Sequence, residues 1–585
     1  MVFVENNNYR NDIEGLRAIA VLSVIIFHLG YLPNGYLGVD IFFVISGYLI
    51  TKIIYQESLD NHFSIVNFYI RRIRRIIPLV SFVIIISLIV GILVMLPDDL
   101  ENLSQSIVAT NFFSNNILQV LTTKNYWDVV NEFKPLMHTW SLAVEEQYYM
   151  LYPLIFLIFV KDRIKWILPL LIVLTIVSLI LYLSPVKDYY KFYLLPFRFF
   201  ELSIGGIIAI IMNKKLIRHN YSTLLLGLLV FMLYSDLSFL SANVLLMATT
   251  IVTAVLLISA NTHSMITSKL LENRVMIGIG KISFSLYMWH QVVLAYSRYF
   301  VIKELTPSNL ILLIVLIFTL SLISYYFVEQ VFRNKKIVKT PLLLWSTGIA
   351  TIMTTAASFY IYVNAGVLKD IPELNIKKSE VIRNMHAQYN AKIYEMDKSF
   401  STQNKIKVLV IGNSFARDWV NILLESKFKD TIEISYIYDI KTHKELRNRV
   451  AQANFIFVSE ASKSIIEEYS LDDVKTWCVG TKNFGISNGL PYNYQGENYY
   501  KQRTHMEDGF IEKNNLLEKE WGDKYINLIG MIIDKNDAVP VFTKNHKFIS
   551  QDCRHLTKPG ATFFADILYK NLKSVFNNAN KNNTK

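Results

Sequence analysis

The strongest constraint on this chain is a series of apolar runs, each about as long as a lipid bilayer is thick. A helix needs roughly 20 residues to cross the hydrocarbon core. Runs of this kind recur up to about residue 362, whereas charged and polar residues are dense from Asn364 onward. We therefore predict a polytopic α-helical membrane domain of 11 spans, the seventh short, followed by a soluble domain. The predicted spans lie near 13–31, 38–55, 76–96, 144–160, 166–183, 195–212, 222–234, 239–259, 282–302, 308–328 and 341–362.

The basic side chains set the predicted orientation. The net charge of +12 does not form one patch of the kind that binds nucleic acid, because the Lys and Arg residues cluster at helix ends on alternate loops. By the positive-inside rule these loops are cytoplasmic, and an odd number of spans places everything after Tyr362 outside. The basic loops hold Arg71, Arg72, Arg74 and Arg75; Lys161, Arg163 and Lys165; Lys214, Lys215 and Arg218; Lys269 and Arg274; and Arg333, Lys335, Lys336 and Lys339. The opposite loops hold Lys124, Lys134, Lys187, Lys191 and Lys303.

The polar third of the chain divides into two parts. Residues 363–404 have no membrane-length run and are predicted to be a connector that packs partly on the next domain. From Lys405 short strands alternate with helical stretches, which is typical of an α/β domain with a parallel sheet. We therefore expect a membrane domain over 1–362, the connector over 363–404 and a soluble domain over 405–585.

A serine follows the first strand of the soluble domain. The run Lys407–Ile411 leads into Gly412-Asn413-Ser414 and then a helix. A serine at such a turn can present its hydroxyl beside the free N–H groups of the helix N-terminus, which favour a developing negative charge. The alternative is that Ser414 only caps the helix.

Two later segments supply possible partners for this serine. Asp552 and His555 lie three residues apart, so the carboxylate can orient the imidazole that accepts the serine proton. Between the two motifs lies the turn Gly480–Gly485, in which the side chain of Asn483 can donate to an oxyanion.

In this order, the serine, asparagine and Asp-x-x-His motifs over about residues 405–575 resemble the SGNH (GDSL-like) hydrolase family. The resemblance implies that Ser414 is the nucleophile, His555 the general base and Asp552 its orienting acid. Two features depart from the family pattern. The usual Gly-x-Asn is replaced by Gly480-x-x-Asn483, and no residue is assigned to the family's second-block glycine.

Polar residues also occur inside the predicted spans, where they are functional candidates. Arg17 and His28 are 11 residues apart, close to three helical turns, so both point to one face of the first helix. Asp40 opens the second helix and is predicted to meet His28 near the outer end. The alternative is a buried structural pair.

Several motifs of the membrane domain, in order over about residues 9–335, resemble the transmembrane acyltransferase-3 family. They are Tyr9-Arg-Asn-Asp-Ile-Glu-Gly-Leu-Arg-Ala-Ile-Ala-Val-Leu22, His28, Gly38-Val-Asp-Ile-Phe-Phe-Val-Ile-Ser-Gly-Tyr48, Arg71-Arg72, Arg75-Ile-Ile-Pro78, His138-Thr-Trp-Ser-Leu-Ala-Val-Glu-Glu-Gln147 and Phe284-Ser-Leu-Tyr-Met-Trp-His290. Family members move acetyl or other short acyl groups from cytoplasmic acyl-CoA onto extracytoplasmic sugars, and a subset carries an SGNH domain after an eleventh span.

This second resemblance implies that His28 is the catalytic residue of the membrane domain. Arg17, Asp40 and the cytoplasmic arginines Arg71, Arg72 and Arg75 are predicted to bind acyl-CoA or the acceptor, since guanidinium groups suit CoA phosphates. The alternative for the arginine cluster is that it only sets topology.

Two further sites contain glutamates. Glu145 and Glu146 are predicted to handle the acyl group or acceptor, or else to complement a helix dipole. Glu329 and Arg333 form an i,i+4 pair that we interpret as structural.

The orientation places His28 in the outer half of its helix, although acyl-CoA is cytoplasmic.

Together these features predict an O-acetyltransferase that takes acetyl from acetyl-CoA, with no metal. Its expected location is the bacterial inner membrane with a periplasmic C-terminal domain, and its expected acceptor is lipopolysaccharide O-antigen. The alternatives are peptidoglycan as the acceptor, or a membrane transporter joined to an outer carbohydrate esterase.

The chain has two cysteines, too few for a disulfide framework or a zinc site. If the hydrolase resemblance holds, Cys478 and Cys553 flank the Ser414 pocket. We expect them to form a disulfide, and the alternative is two free buried thiols.

Overall fold

The computed structural model describes residues 10–122, 129–158, 161–212, 221–237, 239–259, 265–299, 306–380, 385–485, 496–551 and 554–582. The chain folds into two compact units that divide near Tyr360, and the short segment Val94–Glu101 belongs to the second unit. Asp552 and Cys553 lie outside the described residues.

The described residues up to Val363 are mainly helical. Its α-helices are α1 (Asn11–His28), α2 (Gly38–Leu59), α3 (Ile65–Val94), α4 (Pro97–Asn111), α5 (Asn115–Thr122), α6 (Val129–Glu132), α7 (Thr139–Ile158), α8 (Ile167–Leu183), α9 (Asp188–Tyr193), α10 (Leu195–Met212), α11 (Ser222–Tyr234), α12 (Ala242–Ser259), α13 (Met265–Leu271), α14 (Arg274–Lys281), α15 (Ser283–Tyr299), α16 (Pro307–Ser324), α17 (Gln330–Arg333) and α18 (Thr340–Val363).

Seven helical segments of the described chain are long and apolar enough to cross a membrane. The polytopic helical fold is therefore confirmed. Of the other four predicted spans, α1 and α7 carry charged side chains, while α11 and α15 have 13 and 17 residues. The seven segments are Gly35–Leu59, Ile65–Val94, Ile164–Leu183, Leu195–Met212, Ala242–Ser259, Pro307–Arg333 and Thr340–Val363.

Glycines let α2 and α10 approach each other backbone to backbone. A Cβ atom on Gly47 would lie 1.7 Å from the carbonyl oxygen of Leu202, and one on Gly205 would lie 2.0 Å from that of Val44. Small residues permit this kind of close packing between membrane helices. The contact brings the polar residues of the two helices face to face.

The second unit contains the predicted parallel sheet. Five parallel strands are ordered β2-β1-β3-β4-β6, and β5 pairs with β7 in an antiparallel ribbon. The strands are β1 (Ile406–Ile411), β2 (Ile432–Ile437), β3 (Phe455–Ser459), β4 (Thr476–Val479), β5 (Arg503–His505), β6 (Tyr525–Ile526) and β7 (Ala538–Pro540). The helices are α19 (Met385–Tyr394), α20 (Ser414–Glu425), α21 (Leu446–Gln452), α22 (Ile465–Glu468), α23 (Phe510–Trp521), α24 (Lys558–Ile567) and α25 (Tyr569–Asn582).

Alternate residues of the strands build a core on each face of the sheet, as the strand period of two requires. On one face Val408 and Val410 pack against α20, α24 and α25. On the other, Leu409 and Ile411 pack against α21 and Trp521. The unit thus has the three-layer arrangement expected when parallel strands are buried on both sides.

The predicted connector packs on this second unit. The backbone N–H of Phe548 donates to the carbonyl oxygen of Glu373 at 2.8 Å. Farther along, the carboxylate of Glu433 on β2 accepts hydrogen bonds from both the backbone and the hydroxyl groups of Ser401 and Thr402. These bonds fix the connector to the sheet just before β1 begins.

Candidate active sites

Ser414 is the first residue of α20, at the turn that follows β1. The preceding Gly412 has a φ of +136°, and a Cβ there would lie 2.9 Å from Oγ of Ser459. The helix cap is Asn413, whose side chain accepts the N–H of Phe415 at 3.0 Å. Because Asn413 performs the capping, the alternative role of Ser414 as the cap is wrong, and its hydroxyl is available for another bond.

That hydroxyl contacts His555. Oγ of Ser414 and Nε2 of His555 are 2.9 Å apart, which is hydrogen-bond distance. When Nδ1 carries the ring proton, Nε2 accepts the serine proton, as base activation of a nucleophile requires. The predicted orienting acid, Asp552, lies outside the described residues, so its role stays a prediction.

Asn483 is fully buried in the Gly480–Gly485 turn. Its side-chain carbonyl accepts the backbone N–H groups of Gly485 and Glu507, at 2.8 and 3.2 Å. Its amide nitrogen has no hydrogen-bond partner among the described residues. A buried donor without a partner costs about 1–3 kcal/mol, and a bound oxyanion would satisfy it. The role predicted for Asn483 remains a prediction.

Sequence reasoning missed Lys482 and Asp418. Their side chains are 2% and 0% exposed, and Nζ of Lys482 lies 2.8 Å from Oδ2 of Asp418. The same Nζ donates to the carbonyl oxygen of Arg554, next to His555. One signal was available, because Lys482 occupies the third place of Gly480-Thr481-Lys482, where the hydrolase pattern has asparagine.

Glu460 was also missed. It directly follows β3 and has a φ of +51°, a left-handed conformation that favours glycine. Its backbone N–H donates to the carbonyl oxygen of Val479 at 3.1 Å. A search for a glycine therefore overlooked a position whose backbone conformation is glycine-like.

The predicted disulfide is wrong. Cys478 is a free cysteine, and its side chain lies in the core between β4 and α23. Burial raises the pKa of this thiol to about 12, so Cys478 is an inert core residue. Cys553 lies outside the described residues.

In the first unit, a narrow cavity of about 80 Å³ is lined by three of the predicted arginines. These are Arg17, Arg72 and Arg75, and Glu145 lines the same space. Glu145 accepts hydrogen bonds from the hydroxyl groups of Ser46 and Tyr149. The guanidinium of Arg72 lies 5.8 Å from the ring centre of Tyr149. The narrow cavity thus joins cationic and hydrogen-bonding groups from α1, α2, α3 and α7.

A wider space, the cationic cavity, shares Arg17, Leu49 and Arg75 with the narrow cavity. It measures about 650 Å³. Arg71 lines it too and pairs with Glu57 at 2.9 Å. Its complete lining is Glu14, Arg17, Leu49, Arg71, Arg74, Arg75, Lys281, Tyr325, Gln330, Arg333 and Lys335.

Arg74 differs from the other arginines of its cluster. It is buried, and its guanidinium donates to the carbonyl oxygens of Phe332 and Val338 and to the hydroxyl of Thr340. Arg74 therefore joins α3 to the start of α18.

A third space, the histidine cavity, measures about 400 Å³ and is lined by His28 and Asp40. Asp40 pairs with Arg198 on α10 at 3.0 Å, and Arg198 also pairs with Glu201 at 2.8 Å. The sequence did not single out Arg198. Val39 and Tyr287 line both the histidine cavity and the narrow cavity, so the two cavities are adjacent. Arg17 and His28, on one helix face, therefore line neighbouring cavities.

His28 belongs to a cluster of three imidazoles. Its ring centre lies 5.3 Å from that of His290, which lies 5.2 Å from that of His138. His290 and His138 are fully buried. Within the described chain, no group of His, Cys, Asp and Glu side chains has an arrangement that would hold a metal ion.

The remaining predicted glutamates are buried. Glu146 is 6% exposed, and its Oε1 makes no hydrogen bond within the described residues. Glu329 pairs with Arg333 at 2.9 Å and accepts a hydrogen bond from the hydroxyl of Ser285. These contacts agree with a structural role for the Glu329–Arg333 pair.

Comparison with known proteins identifies the family of this chain. Over 573 residues the chain is 28% identical to "Putative O-acetyltransferase SAR0937" of Staphylococcus aureus strain MRSA252, covering 88% of this chain and 92% of the relative. It is 30% identical over 359 residues to the O-acetyltransferase OatA of Staphylococcus aureus strain NCTC 8325, covering 56% and 58% of the two chains. No solved structure matches. Because the acyltransferase domain model matches residues 10–329, more than half of the chain, this protein belongs to the acyltransferase-3 family.

Proposed function

We propose that this protein is a cell-surface glycan O-acetyltransferase that uses cytoplasmic acetyl-CoA and passes the acetyl group to the glycan through Ser414. The observation that carries the proposal is the 2.9 Å contact between Oγ of Ser414 and Nε2 of His555. A membrane acyltransferase joined to a unit with such a dyad has two places where an acyl group can be held.

The cationic lining of two neighbouring cavities supports acetyl-CoA as the donor. The cationic cavity offers several guanidinium and ammonium groups in about 650 Å³, which suits the phosphorylated nucleotide end of CoA. The narrow cavity, of about 80 Å³, shares Arg17 and Arg75 with it and would lie next to the pantetheine arm. The thioester would then lie toward Tyr287, whose side chain also lines the cavity of His28. Such a route would bring a cytoplasmic donor to a histidine in the outer half of its helix.

The reaction at Ser414 has two balanced steps. In the first, His555 removes the hydroxyl proton of Ser414 while Oγ attacks the acetyl carbonyl, and the donor group leaves with that proton. In the second, His555 removes the proton of a sugar hydroxyl, whose oxygen attacks the acetyl-serine ester, and Oγ of Ser414 leaves and regains a proton. These two steps follow one in the membrane unit, in which the donor group takes acetyl from acetyl-CoA and CoA leaves with the proton of the donor group. The sum of the three converts acetyl-CoA and a glycan hydroxyl into CoA and a glycan acetyl ester.

The relatives bear on the acceptor. They come from Staphylococcus aureus, a Gram-positive species whose envelope contains no lipopolysaccharide. This origin favours peptidoglycan over lipopolysaccharide O-antigen. The soluble unit would then face the wall side of the cytoplasmic membrane, with the N-terminus inside, as the loop charges predict.

The proposal is tested with labelled acetyl-CoA in inverted and right-side-out membrane vesicles that contain purified candidate glycans. We expect label on peptidoglycan when acetyl-CoA reaches the cytoplasmic face, and none with the Ser414→Ala variant. Loss of acetyl from a pre-acetylated glycan, without any gain of label, would instead support the transporter with an outer esterase. Label on O-antigen and none on peptidoglycan would show that O-antigen is the acceptor.

A further inference from the structure

The ion pair of Lys482 and Asp418 lies beside the dyad, although no predicted role includes it. Both side chains are withdrawn from solvent, at 2% and 0% exposure. A buried ion pair seldom stabilises a fold more than an apolar pair of the same size would, because desolvating both charges is costly. The geometry of its contacts indicates a more specific role.

The pair binds the backbone on both sides of His555. Nζ of Lys482 donates to the carbonyl oxygen of Arg554 at 2.5 Å, and Oδ2 of Asp418 accepts the N–H of Leu556 at 2.9 Å. The residue before the base and the residue after it are therefore both held by one ion pair.

The same pair is anchored to the helix of the nucleophile. Asp418 is four residues after Ser414 on α20, so the two residues share one helix face. Nζ of Lys482 lies 3.8 Å from the ring centre of Phe415, the residue next to Ser414. Arg417 adds a longer contact, with a guanidinium nitrogen 3.4 Å from Oδ1 of Asp418.

We propose that Lys482 and Asp418 are positioning residues that hold the loop of His555 against Ser414. This inference rests on the serine mechanism proposed above. Lysine suits the role because its ammonium has three N–H donors on a long side chain. One contact of the ammonium is with the carbonyl oxygen of Arg554 in the loop, and another is with Asp418 on the helix. Asparagine at position 482 would be too short to make both. Asn483, the next residue, keeps an amide for the oxyanion role.

The test measures hydrolysis of p-nitrophenyl acetate by the full-length protein in detergent, with the melting temperature recorded for each variant. For Lys482→Met we expect kcat to fall about 100-fold, the order expected when a reacting group is displaced by about 1 Å. KM should change less than about threefold, because the pair does not touch the ester. Lys482→Arg keeps the charge and donors and should recover part of kcat. Lys475→Met removes a half-exposed lysine that pairs with Asp472 and should leave kcat unchanged.

A double variant separates positioning from charge balance. Asp418→Asn with Lys482→Met removes both charges of the fully buried pair and leaves only Arg417, which is 13% exposed, without its carboxylate. The melting temperature should therefore rise above that of Lys482→Met, toward that of the wild type. The carbonyl of Arg554 still lacks its donor, so kcat should stay as low as in Lys482→Met. This variant also carries the test if Lys482→Met does not fold.

Two outcomes would overturn the positioning role. One is an unchanged kcat in Lys482→Met, and the other is a double variant that regains kcat together with its melting temperature. Hydrolysis that survives Ser414→Ala would instead remove the serine mechanism itself, so the two failures are distinguishable.

Discussion

Oγ of Ser414 and Nε2 of His555 meet at 2.9 Å although 141 residues separate them in the chain. The parallel sheet makes this possible. Ser414 begins the helix that follows β1, and His555 lies in the loop before α24, which packs with α20 on the same face of the sheet. The topology of the second unit thus assembles a nucleophile and a base from distant segments.

We expect Ser414→Ala and His555→Ala each to lower acetylation of the surface glycan at least about 10³-fold, because the members of such a dyad act as a unit. The double variant should be no less active than either single variant. Mass spectrometry of released glycan measures the acetyl content. Ser464→Ala, which changes an exposed serine, is the control, and full acetylation by Ser414→Ala would exclude the serine.

For His28→Ala we expect acetyl transfer from acetyl-CoA to the glycan to stop while hydrolysis of p-nitrophenyl acetate continues. The reason is that the second unit has its own cores on both faces of its sheet. Both activities are measured on the same full-length preparation. His62→Ala, at an exposed histidine, should keep both activities. Loss of ester hydrolysis in His28→Ala would contradict the assignment of the two activities to separate units.

Replacing Arg71 and Arg75, which both line the cationic cavity, with Gln should raise the KM for acetyl-CoA at least about tenfold, since hydrogen bonds to charged groups are worth about 1.5–3 kcal/mol each. The maximal rate should change less than about threefold, because the contacts are remote from the acyl carbon. Rates in inverted vesicles over a range of acetyl-CoA concentrations measure both quantities. Arg274→Gln, at an exposed position, is the matched control.

Arg74→Gln should behave differently from those two variants. Its guanidinium is committed to Phe332, Val338 and Thr340, so we expect less folded protein and a lower melting temperature. An unchanged KM in Arg71→Gln with Arg75→Gln, in correctly oriented protein, would leave those arginines only the topological role.

The attachment of the connector should depend on pH through Glu433. Partial burial alone would raise the pKa of Glu433, but hydrogen bonds from Ser401 and Thr402 outweigh it and lower the pKa to about 2. Since the ordinary pKa of Glu is about 4.3, the stabilisation is fully present above that pH and is lost as pH falls toward 2. Solvent screening reduces it to roughly 1 kcal/mol.

Thermal unfolding of Glu433→Gln and of the wild type at pH 7 and pH 3 measures this contribution. The variant should be less stable at pH 7, and the difference should shrink at pH 3. Glu467→Gln, at an exposed glutamate, should show no such dependence. A difference that grows on acidification would contradict the assignment to Glu433.

Local patterns in the sequence predicted much of this molecule. The apolar runs located the membrane helices, and the run Lys407–Ser414 predicted a strand, a turn and a helix start, because these features depend on neighbours along the chain. Arg198 was missed, since its meeting with Asp40 depends on how closely Gly47 and Gly205 let α2 and α10 pack. Glu460 was missed because a left-handed backbone can be imposed by its surroundings on a residue other than glycine.

The free thiol of Cys478 has a consequence for where this protein can be made and can work. The chain has two cysteines, so with Cys478 unpaired no disulfide links one segment of the described residues to another. Folding of the second unit then needs neither an oxidising compartment nor a disulfide isomerase. We therefore expect the second unit to fold under reducing conditions, including those in the cytoplasm of an expression host.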